Sequence, residues 1–430
     1  MAAQGANLKS AMQALRSGKR DEARKRLEQA AQANANDPEP QRLLARMARE
    51  AGDNESARSL LQDALSRNPK HALSNYDLGV IELDQDRHEA ALECFARADA
   101  AQPDHPVILL HKALSLENLD RGYEAAAVYQ RCWSVALGGG QGFQKLPAPL
   151  QQLMTRGRGR VREELKKLLD QALEEARNET GEGELSRMER LEAMLLGEIP
   201  PEQMPPQQKP TKMYFPGLPD RRFFERDEFP WITEFEARTD AIREEFLALN
   251  EDERFLKPYM EVDPSSPTAN HWREVSNSLN WGSCHLFQRG ERNTEVEAHC
   301  PTTFEALDNV PLIRIDKHCP ECMFSVLKPG ITIPPHHGSV NGRVIIHLPL
   351  IVPRDCGGIR VGNETRYWEE GKCIIFDDSY EHEAWNKSDE TRVVLIIDAW
   401  NPHVTEAEKI AFARFNQIIS EMNAQVFGEQ

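Results

Sequence analysis

What this 430-residue chain lacks narrows its possibilities before any motif is read. No apolar run approaches the ~20 residues that crossing a bilayer requires. The opening stretch MAAQGANLKSAMQALRSGKR has neither an apolar centre nor a small-residue cleavage site. A soluble, cytoplasmic protein with no membrane partner is the expectation. An excess of positive charge is also missing: 52 Lys and Arg stand against 69 Asp and Glu, a net charge of −17. A phosphate backbone calls for a basic footprint, so nucleic acid is not expected as a partner, and the acidity reads mainly as solubility. The eight cysteines are dispersed through the chain rather than arranged as a disulfide framework. The lone CxxC, Cys319 to Cys322, lacks the second pair that zinc would use and the βαβ setting of a redox motif.

What is present begins with a repeat. Gly18, Gly52, Asp86 and Asp120 stand 34 residues apart, as do Ala23, Ala57, Ala91 and Ala125. Pro69 and Pro103 keep the same interval, and so do Leu61 with Phe95 and Ala64 with Ala98. A 34-residue period with small residues in register resembles the tetratricopeptide repeat. Each unit is then a helix pair that cannot bury its apolar face alone, and stacking makes a continuous core. About four units fit, with a possible protein partner on the array; a spacer or dimerisation arm is the plainer alternative.

The repeat breaks at LGGGQGFQKLP, residues 137–147, where glycines and Pro147 stop the last helix. Charged amphipathic helices are expected over 149–177 and 183–196, followed by a Pro-rich linker that ends by docking on the next domain. One further helix is expected over 232–249. Beyond about 280 the chain turns to short Val- and Ile-rich runs: Met323–Leu327, Val344–Val352, Gly358–Gly362, Cys373–Phe376 and Val393–Trp400. Their spacing suits an antiparallel barrel or sandwich. A closing helix over 405–423 carries the capping box Thr405/Glu408. The expected fold is multidomain α + β: a repeat solenoid at 1–138, a helical and Pro-rich linker at 139–205, and a double-stranded β-helix of the jelly-roll type at 206–430.

Two segments of the β region carry chemistry: Pro334-Pro335-His336-His337-Gly338, and Phe376 to Trp385 with Asp377, Asp378, Glu381 and His382. Arg392 follows His382 by ten residues, at the start of the apolar strand RVVLIIDAW. A nonheme iron oxygenase needs two imidazoles on facing strands with open positions left on the metal. It also needs a cation deep in the barrel for the far carboxylate of 2-oxoglutarate, and the guanidinium fork suits that task. His336, His382 and Arg392 match in type, order and spacing. His337 points to the other side of the strand. His347 reads as a core histidine or as a donor to a cosubstrate carboxylate. The usual metal triad has a carboxylate two residues after the first histidine, and here that residue is Gly338. Three options stay open: two histidines and waters, a carboxylate from Asp377, Asp378 or Glu381, or chloride in the vacant position.

From about 213 to 405 the chain resembles the aspartyl/asparaginyl β-hydroxylase family. The matching stretches are MYFPGLPDRRFF, NWGSCHLFQRGERN, FSVLKPGITIPPHHGSVNGRVIIHLPLIVP, IRVGNETRYWEEGKCIIFDDSYEHEAWN and RVVLIIDAWNP. The resemblance implies an enzyme that uses iron(II), O₂ and 2-oxoglutarate to hydroxylate the β-carbon of Asp or Asn in a peptide or protein. A free or carrier-bound amino acid is a variant substrate, and an inactive metal-binding barrel on a repeat scaffold is the non-enzymatic alternative. By position it implies iron ligation by His336 and His382, with glycine expected at 338. It further implies 2-oxoglutarate contacts from Ser325, His347 and Arg392, and Asp378 as the carboxylate that holds a metal-bound water. Trp281 takes the place of a substrate-facing aromatic. The animal enzymes carry basic residues at the positions of Ile345 and Met323, and Arg343 lies nearby as a substrate contact.

Overall fold

A computed structural model describes residues 2–427 except 139–143, 145–146, 182–183 and 253. The glycine-rich break after the repeats lies largely outside the described residues. The chain divides into two compact units, 1–167 with 420–430, and 168–419. No described helix is long and apolar enough to cross a membrane.

The repeat unit is four helix pairs: α1 (Ala2–Arg16) with α2 (Arg20–Ala33), α3 (Glu39–Glu50) with α4 (Asn54–Arg67), α5 (Ala72–Asp84) with α6 (His88–Ala101), and α7 (Pro106–Asn118) with α8 (Gly122–Gly138). The column of Gly18, Gly52, Asp86 and Asp120 has one cause. All four sit in the turn between paired helices with φ of 72°, 83°, 55° and 55°. Glycine adopts that left-handed conformation freely, and aspartate tolerates it better than most side chains. Ala23, Ala57, Ala91 and Ala125 are fully buried, so the small side chain sets how closely the helices approach. Within this unit, the long helix Ala148–Thr180 places Gly157 against the buried ring of Tyr129 on α8.

The second unit is built on two facing antiparallel sheets. The larger runs in the order β1 (Phe223–Phe224), β10 (Ile374–Phe376), β7 (Arg343–Ile351), β12 (Arg392–Trp400), β5 (Cys322–Leu327), β3 (Trp281–Gln288), β2 (Lys257–Pro258), with β4 (Glu291–Arg292) paired to β3. The smaller runs β6 (Thr332–His336), β11 (His382–Trp385), β8 (Gly358–Val361), β9 (Glu364–Tyr367). This is the double-stranded β-helix. Side chains alternate across a strand, so each strand of the large sheet feeds two cores. Phe324, Val326, Ile346, Leu348, Leu395 and Ile397 pack on one face with Ile242, Phe246 and Phe304. The alternate positions, including Trp281, Ile345, Ile374 and Val394, face the small sheet and its Ile333, Ile359, Val361 and Ala384. Every candidate residue on β3, β5, β7 and β12 belongs to this second set.

Two elements differ from expectation. The helix over 232–249 is two helices, Ile232–Glu236 and Thr239–Leu249. The Glu236 carboxylate accepts from Arg226 (2.9 Å) and the Cys373 amide (2.8 Å), and the Thr239 hydroxyl donates to its carbonyl (2.5 Å). These local bonds compete with the helical ladder and break it. The Pro-rich stretch continues into a strap over 207–213 that bonds both site-bearing loops. Lys209 N donates to Ser379 O (2.8 Å), Thr211 N to Gly338 O (2.9 Å) and Glu381 N to Gln207 O (2.8 Å). The closing helix Glu406–Phe427 does begin on its capping box: Thr405 N donates to Glu408 (2.9 Å) and Glu408 N to the Thr405 hydroxyl (3.4 Å).

Exchanging glycine for alanine inside a helix ordinarily stabilises by roughly 0.5–1 kcal/mol. Gly157→Ala reverses the sign, because its Cβ would enter the Tyr129 ring. An overpacking cost of about 1–3 kcal/mol is expected, read as a lower urea midpoint. An unchanged or higher midpoint would show that the helix and ring part without cost.

Candidate active site

The site forms where the small sheet meets the interior face of the large one. His336 ends β6, His382 begins β11, and the two strands pair these residues directly. Their rings lie 4.0 Å apart, centroid to centroid. Each ring is oriented by a backbone carbonyl: His336 Nδ1 donates to Pro334 O (2.8 Å) and His382 Nδ1 to Tyr380 O (2.9 Å). That tautomer leaves both Nε2 lone pairs free, the state a metal requires. Burial, followed by the neighbouring His382, pushes His336 down to about 3, and burial lowers His382 as well. Both imidazoles are therefore neutral at ordinary pH and available as ligands.

No set of three His, Cys, Asp or Glu side chains among the described residues is placed to hold a metal. The three carboxylates weighed as a further ligand are engaged elsewhere. Asp377 accepts from Gln208 Nε2 (3.1 Å) and Ser379 N (2.9 Å), and burial raises it to about 8. Glu381 accepts from Arg360 (3.1 Å). Asp378 accepts from Arg343 Nη2 (2.7 Å), while Arg343 Nη1 donates to Asp398 (2.8 Å). Gly338 donates its amide to the Asp378 carbonyl (2.6 Å), and a Cβ at Gly338 would fall inside the Asp378 carboxylate. The place of the missing triad carboxylate is thus filled by Asp378, reaching in from the other loop. Its second oxygen is buried with no hydrogen-bond partner, which fits a metal-bound water. Arg343 spends both terminal nitrogens on Asp378 and Asp398, with Nε buried and unpaired.

A line of rings leads inward from the histidine pair. His382 lies 5.6 Å from Phe376, Phe376 lies 5.0 Å from His347, and His347 stacks on Trp368 at 5.4 Å. The Arg392 guanidinium sits 5.1 Å over the far side of that chain, on Trp368. Arg392 is 1% exposed, makes no ion pair among the described residues, and has Nε and Nη2 without partners. Burial lowers it to about 10. An unpaired buried guanidinium costs several kcal/mol, and the pocket around it offers further unused groups. His347 Nδ1 and the Trp368 indole nitrogen are also unpaired. Ser325 accepts from Trp281 Nε1 (3.1 Å), which leaves its own hydroxyl proton to donate. A dicarboxylate anchored at Arg392 fits this donor set.

The outer side holds residues with no sequence signal. Tyr259 stacks on Trp281 at 4.0 Å, and Trp272 meets His336 edge-on at 5.3 Å. Trp272 ends the four-residue helix Ala269–Trp272 and Tyr259 follows the two-residue strand Lys257–Pro258, elements too short for a period to mark them. Asp398 did carry a signal, being in phase with Arg392 on an otherwise apolar strand.

Residues 236–402 match the family model for aspartyl/asparaginyl beta-hydroxylase, and 42–106 and 76–131 match the tetratricopeptide repeat. The chain carries an aspartyl/asparaginyl β-hydroxylase domain behind tetratricopeptide repeats. It is 36% identical over 193 residues to the ornithine lipid ester-linked acyl 2-hydroxylase of Rhizobium tropici, covering 44% of this chain and 64% of that protein. It is 36% identical over 129 residues to human aspartyl/asparaginyl beta-hydroxylase, covering 30% of this chain and 17% of the human protein. The chain therefore spans less than two thirds of either relative. MamA from Desulfovibrio magneticus RS-1 aligns with 37% of this chain and 93% of its own at 19% identity and a TM-score of 0.29.

Gly338→Ala is expected to displace the Asp378 carboxylate and weaken divalent-metal binding about 10–100-fold, with the far-UV circular dichroism spectrum kept. A variant that binds metal as tightly as the parent would remove Asp378 from the support of the site.

Proposed function

We propose that the hydroxylase domain is an Fe(II)- and 2-oxoglutarate-dependent dioxygenase. The observation that carries this reading is Arg392, a buried cation without an acidic partner, reached from the neutral His336/His382 pair along one line of rings. In this reading His336 and His382 hold iron, and Arg392, Ser325 and His347 hold the two ends of 2-oxoglutarate. Iron with O₂ and 2-oxoglutarate supplies the oxidation of a substrate C–H bond, with succinate and CO₂ leaving. The chain's own task is positioning. Asp378, held by Arg343, would accept from a water at the metal. Trp281, Tyr259 and Trp272 bound the space where a substrate carbon would lie.

The family description supports the β-carbon of a peptidyl Asp or Asn as the target, with a free or carrier-bound amino acid as a variant. A second substrate class is favoured by two interior positions. Met323 and Ile345, 4% and 7% exposed, flank Ser325 and His347 on the same face. They present no charge to an acidic side chain and suit an acyl chain, in keeping with the name of the Rhizobium tropici relative. A non-catalytic barrel gives no use for a buried unpaired guanidinium that costs stability. The repeats support a protein partner.

The test is anaerobic reconstitution with Fe(II), followed by O₂-dependent succinate formation with Asp and Asn peptides or with acyl lipids. Succinate stimulated by one class, with a product heavier by one oxygen atom, defines the substrate. No succinate from iron-loaded protein would favour the non-catalytic barrel. His336→Ala and His382→Ala should each lose iron and turnover; full activity in either would refute the ligand assignment. Arg392→Met should stabilise the ligand-free chain by about 1–4 kcal/mol and abolish the thermal stabilisation given by 2-oxoglutarate. Stabilisation equal to the parent's would remove Arg392 from the cosubstrate site.

A further inference from the structure

Two tight turns meet beside the outer end of the barrel and leave a cleft of about 220 Å³ between them. One is the β3–β4 hairpin, with Arg289 (φ 51°) and Gly290 (φ 83°) in left-handed conformation. The other is the loop before β5, closed by the Ile315–Cys319 bridge with Lys317 at φ 58°. They are locked together: Arg289 N donates to Glu321 Oε1 (2.9 Å) and Gly290 N to Pro320 O (3.1 Å). A Cβ at Gly290 would stand 2.8 Å from the Cys319 carbonyl oxygen, so the hairpin can approach this closely only with glycine there.

The cleft is lined by Arg289, Arg314 and Lys317, with Glu291 and Asp316 between them. None of the three cations forms an ion pair among the described residues, although two carboxylates share the cleft. Lys212 adds to the positive field, burial and the neighbouring Lys212 and Arg289 favour the neutral form of His318, and Glu321 is occupied by the Arg289 amide. Three unpaired cations gathered on rigid turns, in a chain of net charge −17, repel one another. A polyanionic group removes that repulsion; the turns that carry the cations are already fixed, so the ordering cost is confined to the three exposed side chains.

The cleft also lies one layer of side chains from the candidate active site. Glu321 approaches His285 Nε2 at 3.6 Å, and His285 faces Tyr259 (6.4 Å), which stacks on Trp281. Cys319, in the cleft wall, has its sulfur 3.9 Å from Arg343 Nη1, the residue that holds Asp378. Small-molecule sites usually occupy about 300–1,000 Å³, so this cleft suits one group of a larger molecule.

We propose that the cleft between the two turns binds a phosphoryl group of the substrate through Arg289, Arg314 and Lys317, while the carbon to be hydroxylated lies beyond Trp281 at the histidine pair. The inference rests on the hydroxylase reading for the second half of that sentence and stands alone for the first. A phosphoryl group is preferred to a carboxylate because three cations converge where one guanidinium fork would serve a single carboxylate.

The experiment is calorimetric titration of the metal-free full chain with inorganic diphosphate. Arg392→Met serves as background, so that anion capture at the cosubstrate cation does not contribute. Saturable binding that weakens at least tenfold on Arg314→Ser/Lys317→Ser, and survives in Arg354→Ser at an exposed site elsewhere, is expected. Equal binding in the double variant, or none in the background chain, would overturn the proposal. Vesicles containing phosphatidic acid, compared with pure phosphatidylcholine, separate the sources. Co-sedimentation lost in the double variant assigns the phosphoryl group to a lipid headgroup; diphosphate binding without co-sedimentation assigns it to a soluble substrate. Substrate-independent succinate formation should be the same in the double variant as in the otherwise unaltered chain. If diphosphate binds in the cleft while the iron-loaded chain makes no succinate, the hydroxylase reading fails and the anion site stands.

Discussion

The site depends on one buried cation shared by two carboxylates. Arg343 on β7 bridges Asp398 on the adjacent β12 and Asp378 on the loop before His382. Burial opposes its charge, but Asp378 and Asp398 together hold the guanidinium well above its ordinary range. Removing Arg343 leaves two carboxylates uncompensated inside the barrel, a loss of about 3–5 kcal/mol, whereas removing either carboxylate leaves a single ion pair. The network joins the large sheet to the loop that precedes His382. Gly338 completes the arrangement. Its lack of a side chain admits the Asp378 carboxylate, and its amide holds the Asp378 carbonyl.

The two ends of the barrel interior are electrostatically opposite in kind. At the histidine end one guanidinium faces two carboxylates and both imidazoles are held neutral. At the Arg392 end a full positive charge is buried on an aromatic face with two nitrogens unpaired. Folding the empty chain sets hydrophobic burial against this charge, and an anionic ligand at Arg392 would offset the cost. Under the proposed reading, a ligand with one metal-binding end and one carboxylate end would satisfy both poles, and neither feature alone would.

Much of this was legible in the amino-acid order because it is written in short periods. The 34-residue column of Gly and Asp marks left-handed turns, and the alanine column marks helix contacts, so the repeats could be placed without any structure. The β interior follows from period-two alternation, which puts Ser325, His347 and Arg392 on one face with Trp281. Asp398 obeys the same phase and would have been found by asking which charges share a face with Arg392. The role of Arg343 was less legible. Its position near the site is visible in sequence, but its commitment to Asp378 and Asp398 depends on three segments meeting. Tyr259 and Trp272 reach the site from beside a two-residue strand and from the end of a four-residue helix, too short for a period to be read. The break at residues 237–238 depends on a carboxylate, Glu236, that finds its partners 10 and 137 residues away.

The Pro-rich strap shows how far composition can mislead about mechanical role. Proline and glutamine suggest a passive tether, and proline does remove donors from this stretch. Yet the residues between and after the prolines have amides and carbonyls to spare, and 207–213 uses them on both histidine-bearing loops at once. Gln208 is 5% exposed and donates to Asp377 and to the Ser379 hydroxyl (3.0 Å). The loops that the strap ties, 337–340 and 377–381, are the two that a slack barrel rim would let drift apart. The separation of the two imidazoles is therefore fixed from inside by strand pairing of His336 with His382, and from outside by a segment that belongs to no sheet.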